Sequence, residues 1–352
     1  DLDEMYRQYW YKSDLNAGMV VSLRDVVTET LKHAKEIQKG SIVLDIGCNS
    51  GTMLSFFPED TLKIGFDPAL NLCAEASKNC DIFVNDYFTA EKYPLDQKAQ
   101  IVTSIAMFYD LPDPNQFVED VKSVMNHDGL WVIQLTDLLP MLQLNEFTNA
   151  VFEHLEYYSL QWLVDFLKKH DLEVFNVTRN TVNGGSVRLF VSRPHVQEVR
   201  ISVQKYLDEE ASYMNSFLHP FDAFSMRVES AKRKVMSFLR EQANEGKVVM
   251  GLGASTKGNT LLQYFGIDNK LISFIGDVNS AKYGLYTVGS NILVIPERDV
   301  LDSKPDVLFV NIWQHRESIS KKLELFLIAG GKLLFPLPEP ILMHQGGASF
   351  LH

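Results

Sequence analysis

Hydrophobic positions change rhythm three times along the chain. Between residues 19 and 34, Val20, Leu23, Val26, Val27 and Leu31 recur at helical spacing, which predicts an amphipathic helix. It follows an irregular opening in which Tyr6, Tyr9, Trp10 and Tyr11 crowd together. From Ile42 short apolar runs replace that stripe. SIVLDIG, LKIGFDP, CDIFVND, IVTSIAM and GLWVIQL read as strands, and LEVFNVTR and SVRLFVSR close the set. Strands alternating with helical segments predict a parallel sheet covered on both faces. The last two strands are joined by a short turn at Asn183–Gly185, so one of them is expected to run antiparallel at the sheet edge. After Pro194 come two long helical patterns with no strand between them, ending at Gly246 with the usual glycine stop. Strands then return in KVVMGLG, LISFIGDVN, NILVIP, DVLFVNIW and KLLFPLP. The expected plan is a lid and helix over 1–34, a main α/β domain over 35–193, a helical connector over 194–246, and a smaller α/β domain over 247–352. No sequence repeat between the halves is obvious.

Composition narrows the class. A chain of 352 residues suits two domains, and 46 % hydrophobic with 22 % charged residues is ordinary for a folded enzyme. The net charge of −12, without a Lys/Arg run, argues against a nucleic-acid partner. Cys48, Cys73 and Cys80 form no C-x-x-C pair, so neither a disulfide framework nor a four-cysteine zinc site is expected, and no metal is assigned. With no signal peptide and no apolar run of membrane length, a soluble, cytoplasmic protein acting on a small molecule is expected.

The candidate chemistry starts at VLDIGCNSGT, residues 43–52. A buried strand ends at Asp45, Gly47 and Gly51 free the turn, Asn49 lies between them, and a helix N-terminus offers N–H groups to a ligand. Asp67 closes the next strand roughly twenty residues on, where α/β nucleotide sites hold a ribose hydroxyl. A ligand would sit outside the carboxyl ends of the strands. There Asp86 is either an acceptor for an adenine amine or a cap, and Ser104, Ala106 and Phe108 would border the ligand. Tyr11, Lys12 and Asn16 either reach over it as a lid or simply pack the opening segment onto the domain. Past the fifth strand, Glu153 and His154 combine a group that titrates near neutrality with a carboxylate able to orient it; a helix-capping stretch without catalytic duty is the plainer reading. Ser159 reads as the N-cap of the helix that follows. In the second half, GLGASTKGN opens a helix after a strand. Ser255, Thr256, Lys257 and Asn259 either cradle a phosphate there or form a structural turn, and Walker A spacing is absent. Asp277 ends the next strand where a second nucleotide unit would hold a hydroxyl.

The D-x-G-x-N-x-G turn resembles motif I of the S-adenosylmethionine methyltransferases, and seven strands ending in an antiparallel pair resemble their class I Rossmann-like sheet. YKSDLNAGM at 11–19, VLDIGCNSGT at 43–52, LPDPNQFVEDVKSVMNHDG at 111–129, EHLEYYSL at 153–160, NGGSVRLFV at 183–191, GASTKGNTLLQYFGI at 253–267 and FPLPEP at 335–340 together resemble the sugar C-methyltransferases. These enzymes modify nucleotide-linked 4-keto-deoxysugars. The resemblance implies S-adenosyl-L-methionine as cofactor, His154 as base with Glu153 orienting it, and a nucleoside-diphosphate keto-sugar as substrate. It also implies a wall at Gly184, Gly185 and Ser186 near the sugar, and a C-terminal domain that helps hold the diphosphate. Two departures stand out. The cysteine pairs of a small zinc-binding domain, usual at the start of such chains, have no counterpart here, and Val151-Phe152 replace a usual Tyr-His before Glu153. The altered pair suggests a more apolar pocket. O- or N-methylation of another small metabolite, and a non-catalytic cofactor-binding protein, are the competing readings.

Overall fold

A computed structural model describes residues 2–9, 11–15, 17–35, 37–216 and 219–351, with Leu15 described through its backbone. The chain divides into two compact units, Asp1–Leu139 with Glu153–Met214, and Pro140–Phe152 with Asn215–His352.

The first unit is built on β1 (Ile42–Ile46), β2 (Leu62–Phe66), β3 (Ile82–Val84), β4 (Ala99–Ile105), β5 (Met125–Thr136), β6 (Glu173–Asn180) and β7 (Ser186–Ser192). Their order is β3-β2-β1-β4-β5-β7-β6. The antiparallel strand is β7, inserted between β5 and β6, so the edge belongs to β6 and not to the antiparallel member. Burial explains the choice. Every residue of β7 is buried, which suits an interior strand, whereas β6 ends in the half-exposed Thr178–Asn180. The amphipathic helix forms over Ala17–His33 and lays Leu23, Val26 and Val27 onto Val43, Ile101, Val132 and Phe190 of one sheet face. The helix Leu160–Lys169 covers the other face with Leu160, Leu163 and Leu167 and is capped by Ser159, whose hydroxyl accepts the Trp162 N–H. Each such side chain contributes about 1.5–3 kcal/mol on burial.

The second unit repeats the plan. Its strands are β8 (Val249–Leu252), β9 (Phe274–Asp277), β10 (Leu293–Pro296), β11 (Val307–Val310), β12 (Lys332–Phe335), β13 (Ile341–His344) and β14 (Gly347–Phe350), ordered β10-β9-β8-β11-β12-β13-β14. The first five reproduce the 3-2-1-4-5 order of the first sheet. The β13–β14 hairpin goes beyond the strands read from the pattern, because all four residues of β14 are exposed and carry no apolar run. The helix Pro220–Asn244 packs Val228, Val235 and Leu239 onto this core. Residues 140–152, although they follow β5, are anchored in this unit. Asn145 Nδ2 donates to the Pro338 carbonyl (2.8 Å), Asn145 Oδ1 accepts Arg227 Nε (2.9 Å), and the Phe147 ring stacks on Phe265 at 5.7 Å.

Candidate active site

At the carboxyl end of β1 the chain turns through Gly47 (φ +75°), Asn49 (φ +52°) and Gly51 (φ +71°). At Gly51 a Cβ would stand 2.9 Å from Asn79 Cβ, so glycine is required there by space as well as by dihedral. Asp67 clasps the turn: Oδ2 accepts the Asn49 N–H (2.8 Å) and Oδ1 accepts the Ala69 N–H (2.9 Å). Burial raises its pKa while the two N–H bonds lower it. Each carboxylate oxygen keeps a lone pair for a further donor. Asp45 is 2 % exposed and accepts the Thr103 hydroxyl (2.7 Å), and burial pushes its pKa up to about 7. It supports the turn from beneath through this bond.

The opening segment runs across this edge as a strap. The Leu70 N–H donates to the Arg7 carbonyl (3.0 Å), and Tyr9 and Asn71 exchange two bonds of 2.9 and 2.8 Å. Asn49 completes the fastening. Its Nδ2 donates to the Tyr11 carbonyl (3.0 Å), and its Oδ1 accepts the Ser13 N–H (3.1 Å) and hydroxyl (3.2 Å). The rings of Tyr6, Tyr9 and Tyr11 follow one another at 5.8 and 6.5 Å. Lys12 Nζ reaches Glu75 (3.4 Å), and Asn16 lies outside the described residues. The carboxylate of Asp86 accepts from Lys92 Nζ (2.7 Å), Arg7 (3.3 Å) and the Tyr87 N–H (2.9 Å), and Lys92 holds its pKa below the usual range. Of Ser104, Ala106 and Phe108 at the end of β4, Ala106 is exposed, with φ +55°. Ser104 is fully buried and accepts Trp131 Nε1–H (3.1 Å), and Phe108 is buried among Phe117, Trp131, Tyr158 and Phe166. Apolar packing turns both side chains behind the edge.

The titratable groups gather beside this strap. The His154 ring lies 4.3 Å from that of Tyr109, and the N–H groups of Leu155 and Glu156 donate to the Tyr109 carbonyl (3.0 and 3.2 Å). Burial raises the pKa of Glu153. Asp110, the residue after Tyr109, was not legible as a site residue. Burial, then the charge of Glu153, push its carboxyl up to about 8. Only its position in the MFYD stretch just past β4 signals it. The turn at Gly184 (φ +88°) and Gly185 (φ +126°) stands at the same edge, since Ser186 pairs with Thr136 at the carboxyl end of β5. Ser186 is buried and its hydroxyl donates to the Val182 carbonyl (2.9 Å). Phe152 is 77 % exposed.

The second unit reproduces the clasp. Gly253 N–H donates to the Gly276 carbonyl as Gly47 N–H does to Phe66, both at 2.8 Å. Asp277 accepts the Ala254 and Asn279 N–H groups, both at 2.8 Å, as well as Lys282 Nζ (3.3 Å). Ser255 caps the helix Thr256–Phe265, accepting the Gly258 N–H (3.0 Å), and the Asn259 N–H donates to the Ser255 carbonyl (2.9 Å). Burial lowers the pKa of Lys257, and the charge of Glu146 opposes that. Glu146 is 3 % exposed and accepts Trp313 Nε1–H (2.9 Å), Gln314 Nε2 (3.1 Å) and the Thr148 hydroxyl (3.4 Å). Sequence patterns did not single out this carboxylate, nor Asn311, whose buried amide has no hydrogen-bond partner among the described residues. Among those residues no cluster of His, Cys, Asp and Glu is placed to hold a metal ion, and no helix is long and apolar enough to cross a membrane.

Comparison with known proteins matches both halves. Residues 19–177 fit the family model of a methyltransferase domain, and residues 181–338 fit that of the C-methyltransferase C-terminal domain. The chain is 28 % identical over 347 residues to the C-methyltransferase NovU of Streptomyces niveus, spanning 96 % of this chain and 82 % of that protein. Among solved structures it is similar to the N-methyltransferase NodS of Bradyrhizobium japonicum, with 11 % identity, a TM-score of 0.40, and 52 % of this chain and 99 % of that one covered. It is also similar to the magnesium protoporphyrin IX methyltransferase of Synechocystis with bound S-adenosylmethionine, with 13 % identity, a TM-score of 0.39, and 51 % and 82 % covered. The strand order of the first sheet and the clasped glycine turn agree with the two family matches: the chain carries a methyltransferase domain followed by a C-methyltransferase C-terminal domain, and it is an S-adenosylmethionine-dependent methyltransferase.

Proposed function

We propose that the protein methylates a carbon next to a ketone, carbon 3 of a nucleotide-linked 4-keto-deoxysugar. The observation that carries the reading is His154, held by its ring and by two backbone bonds to Tyr109 at the carboxyl edge of the cofactor sheet. The residues present fit the methyl donor. The Gly47 turn is bare where a Cβ would meet Met107 Cγ at 3.3 Å, and Asp67 has acceptor capacity left for ribose hydroxyls. The faces of Tyr6, Tyr9 and Tyr11, which follow one another along the strap, suit a positively charged group. Bound there, S-adenosylmethionine supplies an electrophilic methyl group.

The chain's own residues do the rest. A ketone acidifies the neighbouring C–H because the carbanion formed is an enolate, so a positioned base is required. His154 takes that proton, Glu153 orients the imidazole, and the carbanion forms the new carbon–carbon bond. Fixing His154 limits the orientational freedom that a base would otherwise lose in the transition state. Gly184, Gly185 and Ser186 border the sugar. Ser255, Thr256, Lys257 and Asn259 hold the diphosphate, through an ammonium group and the free N–H groups of a helix N-terminus.

The test is incubation of the protein with S-adenosylmethionine and a 4-keto-deoxysugar nucleotide in deuterated water. Deuterium at carbon 3, or a new carbon–methyl bond there, is expected. Neither appearing would sink the reading, and a methyl group on oxygen or nitrogen would replace it with heteroatom transfer.

A further inference from the structure

The strand order of the second sheet reverses between β8 and β11, and open α/β sheets bind ligands outside the carboxyl ends of their strands at such a point. Asn311 stands there. It follows β11, and its N–H donates to the Leu252 carbonyl at the end of β8 (2.9 Å). Its side chain lies against the first turn of the helix Thr256–Phe265. A Cβ on Gly258 would stand 3.0 Å from Asn311 Cβ and 3.2 Å from its Cγ, so glycine, a poor residue inside a helix, is what lets the amide come that close. Ser255 Oγ is 3.0 Å from the same Cβ position, and Ser255 is half-exposed, so solvent is one side chain away from the amide. The segment that carries Asn311 is fixed. Ile312 fills the space beside Gly253, where a Cβ would meet its Cγ2 at 2.8 Å, and Trp313 and Gln314 donate to the buried Glu146 (2.9 and 3.1 Å). Asn311 is 1 % exposed, yet neither its Nδ2 nor its Oδ1 has a hydrogen-bond partner among the described residues, and the same holds for Asn259 Oδ1. Buried polar atoms are normally paired, and an amide left unmet destabilises the fold.

What these atoms lack identifies what completes them. Asn311 has an unmet donor and an unmet acceptor, and Asn259 adds a second unmet acceptor. A phosphate offers acceptors only, and a cation satisfies acceptors only, whereas a hydroxyl both donates and accepts. We propose that Asn311, with Asn259, binds the hydroxyls of a sugar ring joined to the diphosphate that Ser255 and Lys257 hold. The inference rests on that placement of the diphosphate. Phosphate oxygens at the N-terminus of this helix bring the ring beside its first turn, where Asn311 lies. Asn259 serves both groups, Nδ2 toward the phosphate oxygens and Oδ1 toward the ring. A diphosphate carries a ring on each side, the ribose of the nucleotide and the hexose, and both present the same hydroxyl chemistry. Asn311 is then a specificity residue, because a site built to pair with a hydroxyl rejects ligands that lack one.

The test is calorimetric binding to the full chain of inorganic pyrophosphate, uridine diphosphate, thymidine diphosphate, and thymidine diphosphate carrying a 4-keto-6-deoxyhexose. Wild type is compared with Asn311→Leu, which keeps the branched skeleton of heavy atoms and removes the amide, and with Asn259→Ala. In Asn311→Leu, ring-bearing ligands are expected to bind about tenfold or more weakly, with pyrophosphate within about twofold of wild type. A loss already present with the nucleoside diphosphates assigns the hydroxyl to the ribose, and a loss confined to the keto-sugar nucleotide assigns it to the hexose. Urea unfolding of the ligand-free protein is the second readout. The midpoint of Asn311→Leu is expected to be unchanged or higher, because an unmet amide has been removed. A lower midpoint with every affinity unchanged means that ordered water alone completes the amide, and it overturns the proposal. Pyrophosphate weakened as much as the ring-bearing ligands overturns it too, since Asn311 then binds phosphate. If Asn311→Leu does not fold, Asn259→Ala decides, with a larger loss for ring-bearing ligands than for pyrophosphate expected and an equal loss refuting the site. Lys257→Ala separates the two readings. A wild type that binds none of the ligands, or a Lys257→Ala variant that binds them all as well, refutes the diphosphate placement and the hydroxyl site with it. Binding that depends on Lys257 but not on Asn311 or Asn259 refutes the hydroxyl site alone.

Discussion

Asn49 joins the cofactor turn to the strap, and replacing it separates two contributions. Its side chain makes three hydrogen bonds to Tyr11 and Ser13, at 3.0, 3.1 and 3.2 Å. Bonds of this kind contribute about 1 kcal/mol each, and less where solvent competes, so the fastening is worth about 2 kcal/mol. Asn49 also sits at φ +52°, where an alanine costs roughly 1–2 kcal/mol and a glycine costs little. Asn49→Gly therefore removes the fastening alone, and Asn49→Ala removes it and strains the turn. The assay is native-state hydrogen exchange across residues 7–13, together with calorimetric binding of S-adenosylmethionine. In Asn49→Gly the strap amides exchange about 30-fold faster, which is 2 kcal/mol of local opening, while global unfolding changes little. Asn49→Ala adds a loss of about 1–2 kcal/mol in denaturant unfolding. Strap exchange in Asn49→Gly within roughly threefold of wild type would refute the idea that Asn49 holds the strap.

Three further outcomes are expected. His154→Asn lowers the single-turnover methylation rate by about 10²–10⁴ while calorimetry shows methyl-donor affinity within a few-fold of wild type, as removal of a general base requires; equal loss of both would place His154 in cofactor binding. Gly51→Ala destabilises by about 2–3 kcal/mol in urea unfolding, from its positive φ and the 2.9 Å approach to Asn79 Cβ, and an unchanged midpoint would contradict that. Asp45, whose folded pKa of about 7 lies above the unfolded value, gives stability that is present in acid and lost as pH rises toward 7, by about 1.4 kcal/mol per pH unit. Unfolding free energies of Asp45→Asn should accordingly fall less between pH 5 and pH 7 than those of the wild type.

Periodicity and glycine placement carried most of the architecture. β1 reads clearly because Ile42–Ile46 is apolar except for one acid before a glycine, and Asp67 was legible because it ends a strand at the expected spacing. Side-chain direction was not. Ser104 and Phe108 sit at the right strand end, but packing against Trp131 turns them inward, and only three-dimensional neighbours decide that. Asp86 was placed correctly after β3, yet the two cations that occupy it come from Arg7 in the strap and from Lys92. Asp110 and Glu146 had no motif, because what distinguishes each is burial beside groups far away in the chain. The matching strand order of the two sheets was equally hidden. It rests on backbone pairing, which tolerates different side chains in the two halves.

The anchoring of residues 140–152 has a consequence for how the polypeptide is made. Asn145 bonds to the carbonyl of Pro338, a residue synthesised 193 positions later. A nascent chain that has completed the first sheet therefore carries a segment whose partners do not yet exist. That segment waits, with the fully buried Thr148 and Asn149 of the finished protein still uncovered, until the last strands of the second sheet emerge. Long-range closures of this kind form late. No single cut in the chain separates the two units, so a gene fragment ending at Met214 would encode the first unit with a stranded piece of the second.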